Sequence, residues 1–215
     1  MENPEFIRAV GDRGKPVLFA VGGTDEEAAR DALALTGSTP AGLSNFEPDA
    51  QALTEAQRLT RSFSYKPRPV NQPKPIHGLF LMGSLGTLAQ ADQSDMDVWV
   101  CHAPDLGENE LAELRKKCQL LEAWALSMGA EAHFFLIDPE RFVKGERDSR
   151  LSSENCGTTQ HYLLLDEFYR TAIWLGGRTP LWWLVPVYEE ARYAEYTHTL
   201  LSKRFIREAD VLDLG

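Results

Sequence analysis

The chain has 215 residues, of which 43% are hydrophobic and 25% charged, as in a globular protein with one substantial domain or a core and a smaller extension. Its formal net charge of -10 argues against a nucleic-acid partner, because a nucleic-acid backbone is usually bound by a basic patch; a nucleotide can still bind through a divalent cation. It has neither a signal-peptide pattern nor a run of about 18 apolar residues, which predicts a cytoplasmic protein without a membrane span.

The first part of the chain, residues 1–37, is interpreted as a strand-helix extension of unclear origin that precedes the main region, residues 38–215. Residues 15–35 predict a strand, a turn at Gly22-Gly23 and a helix. Such a turn can bind phosphate at the start of a helix. Because a complete glycine-rich phosphate motif is missing, ordinary α/β structure is the favoured interpretation.

Helices and strands alternate in the main region. Apolar runs predict three strands, at 76–82, 96–101 and 131–137. Amphipathic patterns predict four helices, at 49–63, 108–128, 158–176 and 189–206. Prolines make residues 65–75 an extended connector, and the apolar segment 181–185 is expected to be buried.

Two polar motifs flank the loop between the first two predicted strands. Gly83-Ser84 ends the first strand, and Asp95 and Asp97 follow after ten intervening residues. Side chains two residues apart on a strand point to one face, so the two carboxylates converge. They can then bridge the cations used in phosphate transfer, while Gly83-Ser84 approaches the phosphates. An ordinary polar turn is the simpler alternative, but the combined spacing favours a metal-dependent phosphate-transfer site.

A third acid completes such a site from a neighbouring strand. Glu131, at the start of the third predicted strand, is the favoured candidate, and Asp138, at its end, competes with it. The two residues are seven apart, so a regular strand sends them to opposite faces and separates them by about 23 Å. Only one of them can therefore serve the site, and Asp138 is otherwise expected to cap the turn into Pro139.

Other polar and aromatic residues are interpreted as structural. The basic run 115–117 is expected on a solvated helix face, and residues 158–161 are expected to cap a helix start. Trp99 is expected to pack in the protein, and His102 and His133 are too isolated in the sequence to be assigned as ligands. Three further tryptophans are assigned to the core: Trp174, Trp182 and Trp183.

The Gly-Ser and Asp-x-Asp arrangement resembles the DNA polymerase β nucleotidyltransferase superfamily. More specifically, several strings look like those of the bacterial class I adenylate cyclases. They are SDMDVWVCH at 94–102, KCQLLEAW at 117–124, FFLID at 134–138, TQH at 159–161 and LLDEFYRTA at 164–172. The similarity covers roughly residues 38–215. It implies an α/β fold in which helices flank a mixed sheet of the nucleotidyltransferase type.

The resemblance implies that ATP is converted to 3′,5′-cyclic AMP and pyrophosphate, as the ribose 3′-hydroxyl attacks the α-phosphorus. The implied cofactor is magnesium (or manganese), held by Asp95 and Asp97. Glu131 is added, from its position on the third predicted strand, as the third catalytic and metal-binding carboxylate. Gly83 and Ser84 are expected to hold the triphosphate. Three residues complete the predicted nucleotide-binding set: Thr87, Gln90 and Ser94.

The sequence departs from the family pattern in two respects. The loop before Asp95 is poorer in serine, and family members continue beyond Gly215. Regulatory partners are therefore expected to act through a C-terminal region absent from this chain. Two alternative functions stay open: transfer of AMP to an external acceptor, and nucleotide binding without catalysis.

Overall fold

The computed structural model describes residues 39–59, 72–82, 95–127, 129–146 and 157–215, so the predicted strand and helix at 15–35 lie outside the described residues. The described helices are α1 (Ala50–Leu59), α2 (Glu108–Ser127), α3 (Pro139–Val143), α4 (Gly157–Thr171) and α5 (Tyr193–Ser202). The strands are β1 (Ile76–Met82), β2 (Met96–His102), β3 (Ala132–Ile137), β4 (Ile173–Gly177), β5 (Thr179–Pro180) and β6 (Val211–Leu212). Short 3-10 helices cover Leu181–Leu184, Val187–Arg192 and Glu208–Asp210.

Four strands form a mixed sheet in the order β3-β2-β1-β4. β1 runs antiparallel to β2 and β4, whereas β2 runs parallel to β3. The three predicted strands are confirmed to within one residue at each end, because their apolar runs are buried between layers of helices. The prediction of an α/β fold with a mixed sheet flanked by helices is therefore confirmed. β5 and β6 form a separate two-stranded sheet.

Helix α2 makes the crossover that a parallel pair of strands requires, here between β2 and β3. Its buried residues follow the spacing of one helix face: Leu114, Cys118, Leu121 and Ala125. They pack on alternate side chains of the two strands, namely Val98, Val100, Phe134 and Leu136. Gly129 follows the helix with φ of 83°, the left-handed conformation that glycine commonly adopts after a helix end. Among the described residues, no helix combines the length and apolar character needed to cross a membrane.

Aromatic side chains pack on the opposite face of the sheet. Phe168 of α4 stacks on Trp99 of β2, with ring centroids 5.3 Å apart, and meets Phe80 of β1 edge-on at 4.8 Å. Phe142 of α3 contacts the same indole at 5.4 Å. Trp99 is 2% exposed, so the prediction that it packs is confirmed.

The predicted helix 158–176 is wrong beyond Thr171. Residues 173–177 form β4 instead, with Gly177 paired to Gly78 and Trp174 paired to Phe80. The backbone of this segment forms hydrogen bonds with β1, which lies about 95 residues earlier in the sequence. A local sequence pattern carries no information about such a distant partner. The last predicted helix, 189–206, is also shorter than expected: α5 covers Tyr193–Ser202.

Two of the three tryptophans assigned to the core are substantially exposed. Trp174 is 47% exposed on β4, the outermost strand of the described sheet, and Trp183 is 37% exposed. Trp182 is partly buried and stacks on Tyr169, with ring centroids 4.9 Å apart. Within the segment 181–185, only Leu181 is fully buried, so its predicted burial holds for that residue alone.

Lys117 also differs from its prediction as part of a solvated basic run. It is buried, and its Nζ donates a hydrogen bond to the carbonyl oxygen of Pro40 at 3.0 Å. The residue stands next to Cys118 on the buried face of α2. Its ammonium group therefore bonds to a backbone carbonyl in the protein interior and does not lie on a solvated helix face.

Candidate active site

The register between the parallel strands β2 and β3 brings four titratable side chains to one place. Asp97 pairs with His133, and Met96 pairs with Ala132. Met96 also donates its backbone N–H to the carbonyl oxygen of Glu131 at 2.9 Å. Because side chains alternate along a strand and paired residues share a face, Asp95, Asp97, Glu131 and His133 lie on the same face at the amino ends of both strands.

Three of these side chains offer ligand atoms within 4.8 Å of one another: Asp95, Glu131 and His133. His133 Nε2 lies 3.3 Å from Glu131 Oε1, and these two side chains are 44% and 60% exposed. Asp95 is exposed as well. Carboxylate oxygens suit hard divalent cations, and an imidazole nitrogen suits transition-metal ions. The donor set therefore fits a divalent cation that reaches it from solvent.

Asp97 lies deeper than these three residues. Its side chain is half-buried, next to the aromatic layer that begins with Trp99 two residues along the strand. Burial raises the pKa of Asp97 above its ordinary value; the nearby His133 opposes this shift, and the Asp95 carboxylate adds to it. Asp97 is not one of the three clustered side chains, but it interacts electrostatically with two of them, His133 and Asp95.

Asp138, the competing third acid, has a different role in the structure. It stands at the carboxyl end of β3, whereas Glu131 precedes the amino end. Its Oδ1 accepts a hydrogen bond from the backbone N–H of Arg141 at 3.1 Å, so it caps α3. The geometry thus groups Glu131 with Asp95 and uses Asp138 as the helix cap.

The predicted phosphate-binding residues Gly83, Ser84, Thr87, Gln90 and Ser94 lie outside the described residues. The described part of β1 ends at Met82, which pairs with Asp97 of β2. Met82, the last described residue before this gap, therefore lies beside the Asp-x-Asp strand.

His133 is the residue of this group that sequence analysis left unassigned. Two features could have indicated it: His133 follows Glu131 by two residues, and Asp95 and Asp97 at the start of β2 have the same spacing. The missing information was the register of β2 against β3. On α4, Asp166 and Arg170 form an exposed ion pair at 2.6 Å. The side chains of 158–161, which were expected to cap a helix start, lie outside the described residues.

A solved structure described as a toxin-antitoxin with AMP-PNP aligns with 62% of this chain and 80% of its own chain, at 19% sequence identity. The TM-score of this alignment is 0.28, which is too low to establish a shared fold.

The model of the family described as "Adenylate cyclase NT domain" matches residues 30–183. Curated adenylate cyclases are similar to the chain: those of Shigella flexneri, Salmonella typhimurium and Proteus mirabilis are 43%, 44% and 42% identical. Each alignment covers 84% of this chain and 21% of the relative, so the chain spans about a fifth of their length. The chain belongs to the adenylate cyclase NT domain family.

Proposed function

We propose that this chain forms the nucleotide-binding and catalytic part of a class I adenylate cyclase that converts ATP to 3′,5′-cyclic AMP and pyrophosphate. The observation that carries the proposal is the convergence of Asp95, Asp97 and Glu131 on one face of the sheet, beside the end of β1. Membership in the adenylate cyclase NT domain family supports the same reaction.

Asp95, Asp97 and Glu131 are the proposed ligands of Mg²⁺ or Mn²⁺. A divalent cation supplies charge stabilisation to the phosphates and to the attacking oxygen. The exposed Asp95 and Glu131 are open to a metal-bound nucleotide arriving from solvent. The half-buried Asp97 lies on β2 between two paired strands, which holds its backbone in place for ligand binding.

In the proposed reaction, the 3′-hydroxyl loses its proton and its oxygen bonds to the α-phosphorus. The bond between that phosphorus and the pyrophosphate oxygen breaks, and pyrophosphate leaves. We place Glu131 beside the attacking hydroxyl, because its carboxylate is exposed to solvent and lies close to the exposed carboxylate of Asp95. A carboxylate there can accept the hydroxyl proton and release it to solvent, to which its side chain is exposed.

Gly83 and Ser84 are proposed to hold the triphosphate, with Thr87, Gln90 and Ser94 as further contacts. This proposal rests on their positions in the sequence, directly after β1 and before Asp95. A glycine allows the backbone to approach a phosphate closely, and a serine adds a hydroxyl donor.

The proposed partner is ATP and not nucleic acid, in agreement with the net charge of -10. We further propose that regulatory partners act through a C-terminal region like the parts of the longer relatives that this chain does not match. A cytoplasmic location is also proposed, since ATP is supplied there.

Product analysis tests the proposed reaction. The protein is incubated with ATP labelled at the α-phosphate, or in a parallel reaction at the γ-phosphate, with Mg²⁺ or Mn²⁺, and the products are separated by chromatography. Cyclic AMP together with pyrophosphate is the expected result. Label transferred to an acceptor would support AMP transfer instead, and ATP binding without any product would support a catalytically silent nucleotide-binding module.

The Asp95→Asn and Asp97→Asn variants test which residues carry the reaction. Each is expected to lower turnover by roughly 100-fold or more, the order of loss when one charge that stabilises a transition state is removed. Asp105→Asn, in an exposed loop, is the matched control and should keep its activity. Near-normal turnover in either test variant would remove that residue from the proposed mechanism.

A further inference from the structure

We propose that His133 is a nitrogen ligand of the divalent cation, so that Asp95, Glu131 and His133 form a mixed site that favours Mn²⁺ over Mg²⁺. The proposal rests on the proposed function, because it concerns the same cation. It goes beyond the Asp-x-Asp motif, which contains oxygen donors alone. His133 enters the site through the pairing of β3 with β2.

The distances within the group fit coordination of a single ion. In an octahedral site with metal–ligand bonds of about 2.1 Å, neighbouring ligand atoms are about 3.0 Å apart and opposite ones about 4.2 Å. His133 Nε2 and Glu131 Oε1 are separated by 3.3 Å, close to the spacing of neighbouring ligands. All three ligand atoms lie within 4.8 Å of one another, so small side-chain rotations bring them around one ion.

The position of His133 on the sheet supports this role. It is the second residue of β3 and pairs with Asp97. This pairing with β2 fixes its backbone beside the Asp-x-Asp segment. Its ring is 44% exposed and reaches toward Glu131 and Asp95 on the open side of the site. An exposed ion pair with Glu131 is the alternative explanation, but water screens exposed pairs of this kind and they add little to stability.

The donor chemistry predicts which cation is preferred. Mg²⁺ favours oxygen ligands and strict octahedral geometry, whereas an imidazole nitrogen suits transition-metal ions. Mn²⁺ accepts both carboxylate and imidazole ligands. Replacing one oxygen donor by His133 therefore raises the affinity for Mn²⁺ relative to Mg²⁺, while leaving both ions able to bind.

Pulsed EPR on the Mn²⁺-loaded 215-residue chain tests the nitrogen ligand without any measurement of activity. A hyperfine coupling to the ¹⁴N nucleus of imidazole is expected in the unchanged chain and lost in His133→Ala and His133→Gln. His198→Ala is the matched control, because His198 is an exposed histidine on α5. The dissociation constant of Mn²⁺ should rise about tenfold or more in the His133 variants, the lower end of losses measured around metal sites.

Competition between Mn²⁺ and Mg²⁺ gives a second measurement. The Mg²⁺ affinity should change much less than the Mn²⁺ affinity in His133→Gln, so the preference for Mn²⁺ falls. A ¹⁴N coupling that persists in both His133 variants, or an unchanged preference, would overturn the proposal. Mn²⁺ bound without nitrogen coupling but weakened by Asp95→Asn would overturn it while leaving the proposed carboxylate site intact. Mn²⁺ binding that is insensitive to Asp95→Asn would contradict both proposals.

Discussion

At the scale of single residues, acids of similar chemistry have different environments because of their places on the strands. Glu131 and Asp95 stand just before β3 and β2 and are exposed. Asp97 is the second residue of β2 and is half-buried, which raises its pKa. Asp138 follows the far end of β3 and caps α3. Position along the strand therefore decides whether a carboxylate is available to a ligand or used by the fold.

The roles of Glu131 and Asp138 can be separated by substitution. Glu131→Gln is expected to lower kcat for cyclic AMP formation by roughly 100-fold or more, with little change in stability, because it removes one charge from the proposed site. Asp138→Ala should keep kcat but lower the free energy of unfolding by about 1 kcal/mol, because α3 loses its N-cap. Steady-state kinetics and urea denaturation measure both quantities. A folded but inactive Asp138→Ala, alongside an active Glu131→Gln, would reverse the two assignments.

At the scale of elements, β4 pairs with β1 as an outer strand of the sheet, and the turn after β4 contacts β1 as well. Gly177 has φ of 100° and pairs with Gly78, which brings the two backbones close together. Arg178 follows and donates its backbone N–H to the carbonyl oxygen of His77 at 2.7 Å. Its guanidinium also lies 3.0 Å from His77 Nε2. This turn therefore needs both a glycine and a neutral histidine ring.

The first prediction at this scale concerns Gly177. A Cβ there would collide with the carbonyl oxygen of His77 and lie 2.7 Å from the Cα of Gly78. Gly177→Ala combines this backbone collision with a strained φ, so it should lower the free energy of unfolding by roughly 3 kcal/mol or more. Gly145→Ala is the matched control: its φ is 77°, but a Cβ meets nothing within 4 Å, so only about 1–2 kcal/mol is expected. Equal losses in urea denaturation would contradict the close approach at Gly177.

The second prediction concerns the pH dependence of stability through His77. Burial, the charge of Arg178 and the neighbouring His102 lower the pKa of His77 to about 4, while Asp105 acts in the opposite direction. As the pH falls, the unfolded chain therefore binds a proton at this residue near pH 6.5, whereas the folded chain binds it only near pH 4. Stability should fall as pH decreases from about 6.5 to about 4.

Urea midpoints measured at several pH values test this behaviour. His77→Gln is expected to remove part of the pH dependence, whereas His198→Gln, at an exposed position, should retain it. A pH dependence that is the same in all three proteins would show that His77 does not titrate as described.

At the scale of the whole molecule, the net charge of -10 opposes the binding of an anionic nucleotide. A divalent cation reduces this repulsion by screening the carboxylates from the phosphates. Removal of divalent cations with EDTA is therefore expected to weaken ATP binding by roughly tenfold or more, which is about 1.4 kcal/mol. Calorimetry with Mg²⁺ and with EDTA, at equal ionic strength set by KCl, measures the change. Equal affinities in the two conditions would contradict metal-dependent ATP binding.

Several features of the protein could be predicted from local sequence patterns. The apolar runs at 76–82 and 96–101 located the central strands, because a strand buried on both faces requires such a run. The two-residue spacing of Asp95 and Asp97 predicted their shared face, because alternation is a property of any regular strand. The seven-residue separation of Glu131 and Asp138 likewise predicted that only one of them could join that face.

Tertiary structure decided the features that depend on which segments pair. The register of β2 with β3 brought His133 beside Asp95 and Glu131, and pairing with β1 turned residues 173–177 into a strand. The exposure of Trp174 follows from the position of β4 at the outside of the described sheet. A local sequence pattern predicts the face of a strand or helix on which a side chain lies, because the repeat of the backbone involves neighbouring residues alone. It does not predict which distant strand lies next to that face, since the pairing depends on contacts between segments far apart in the chain.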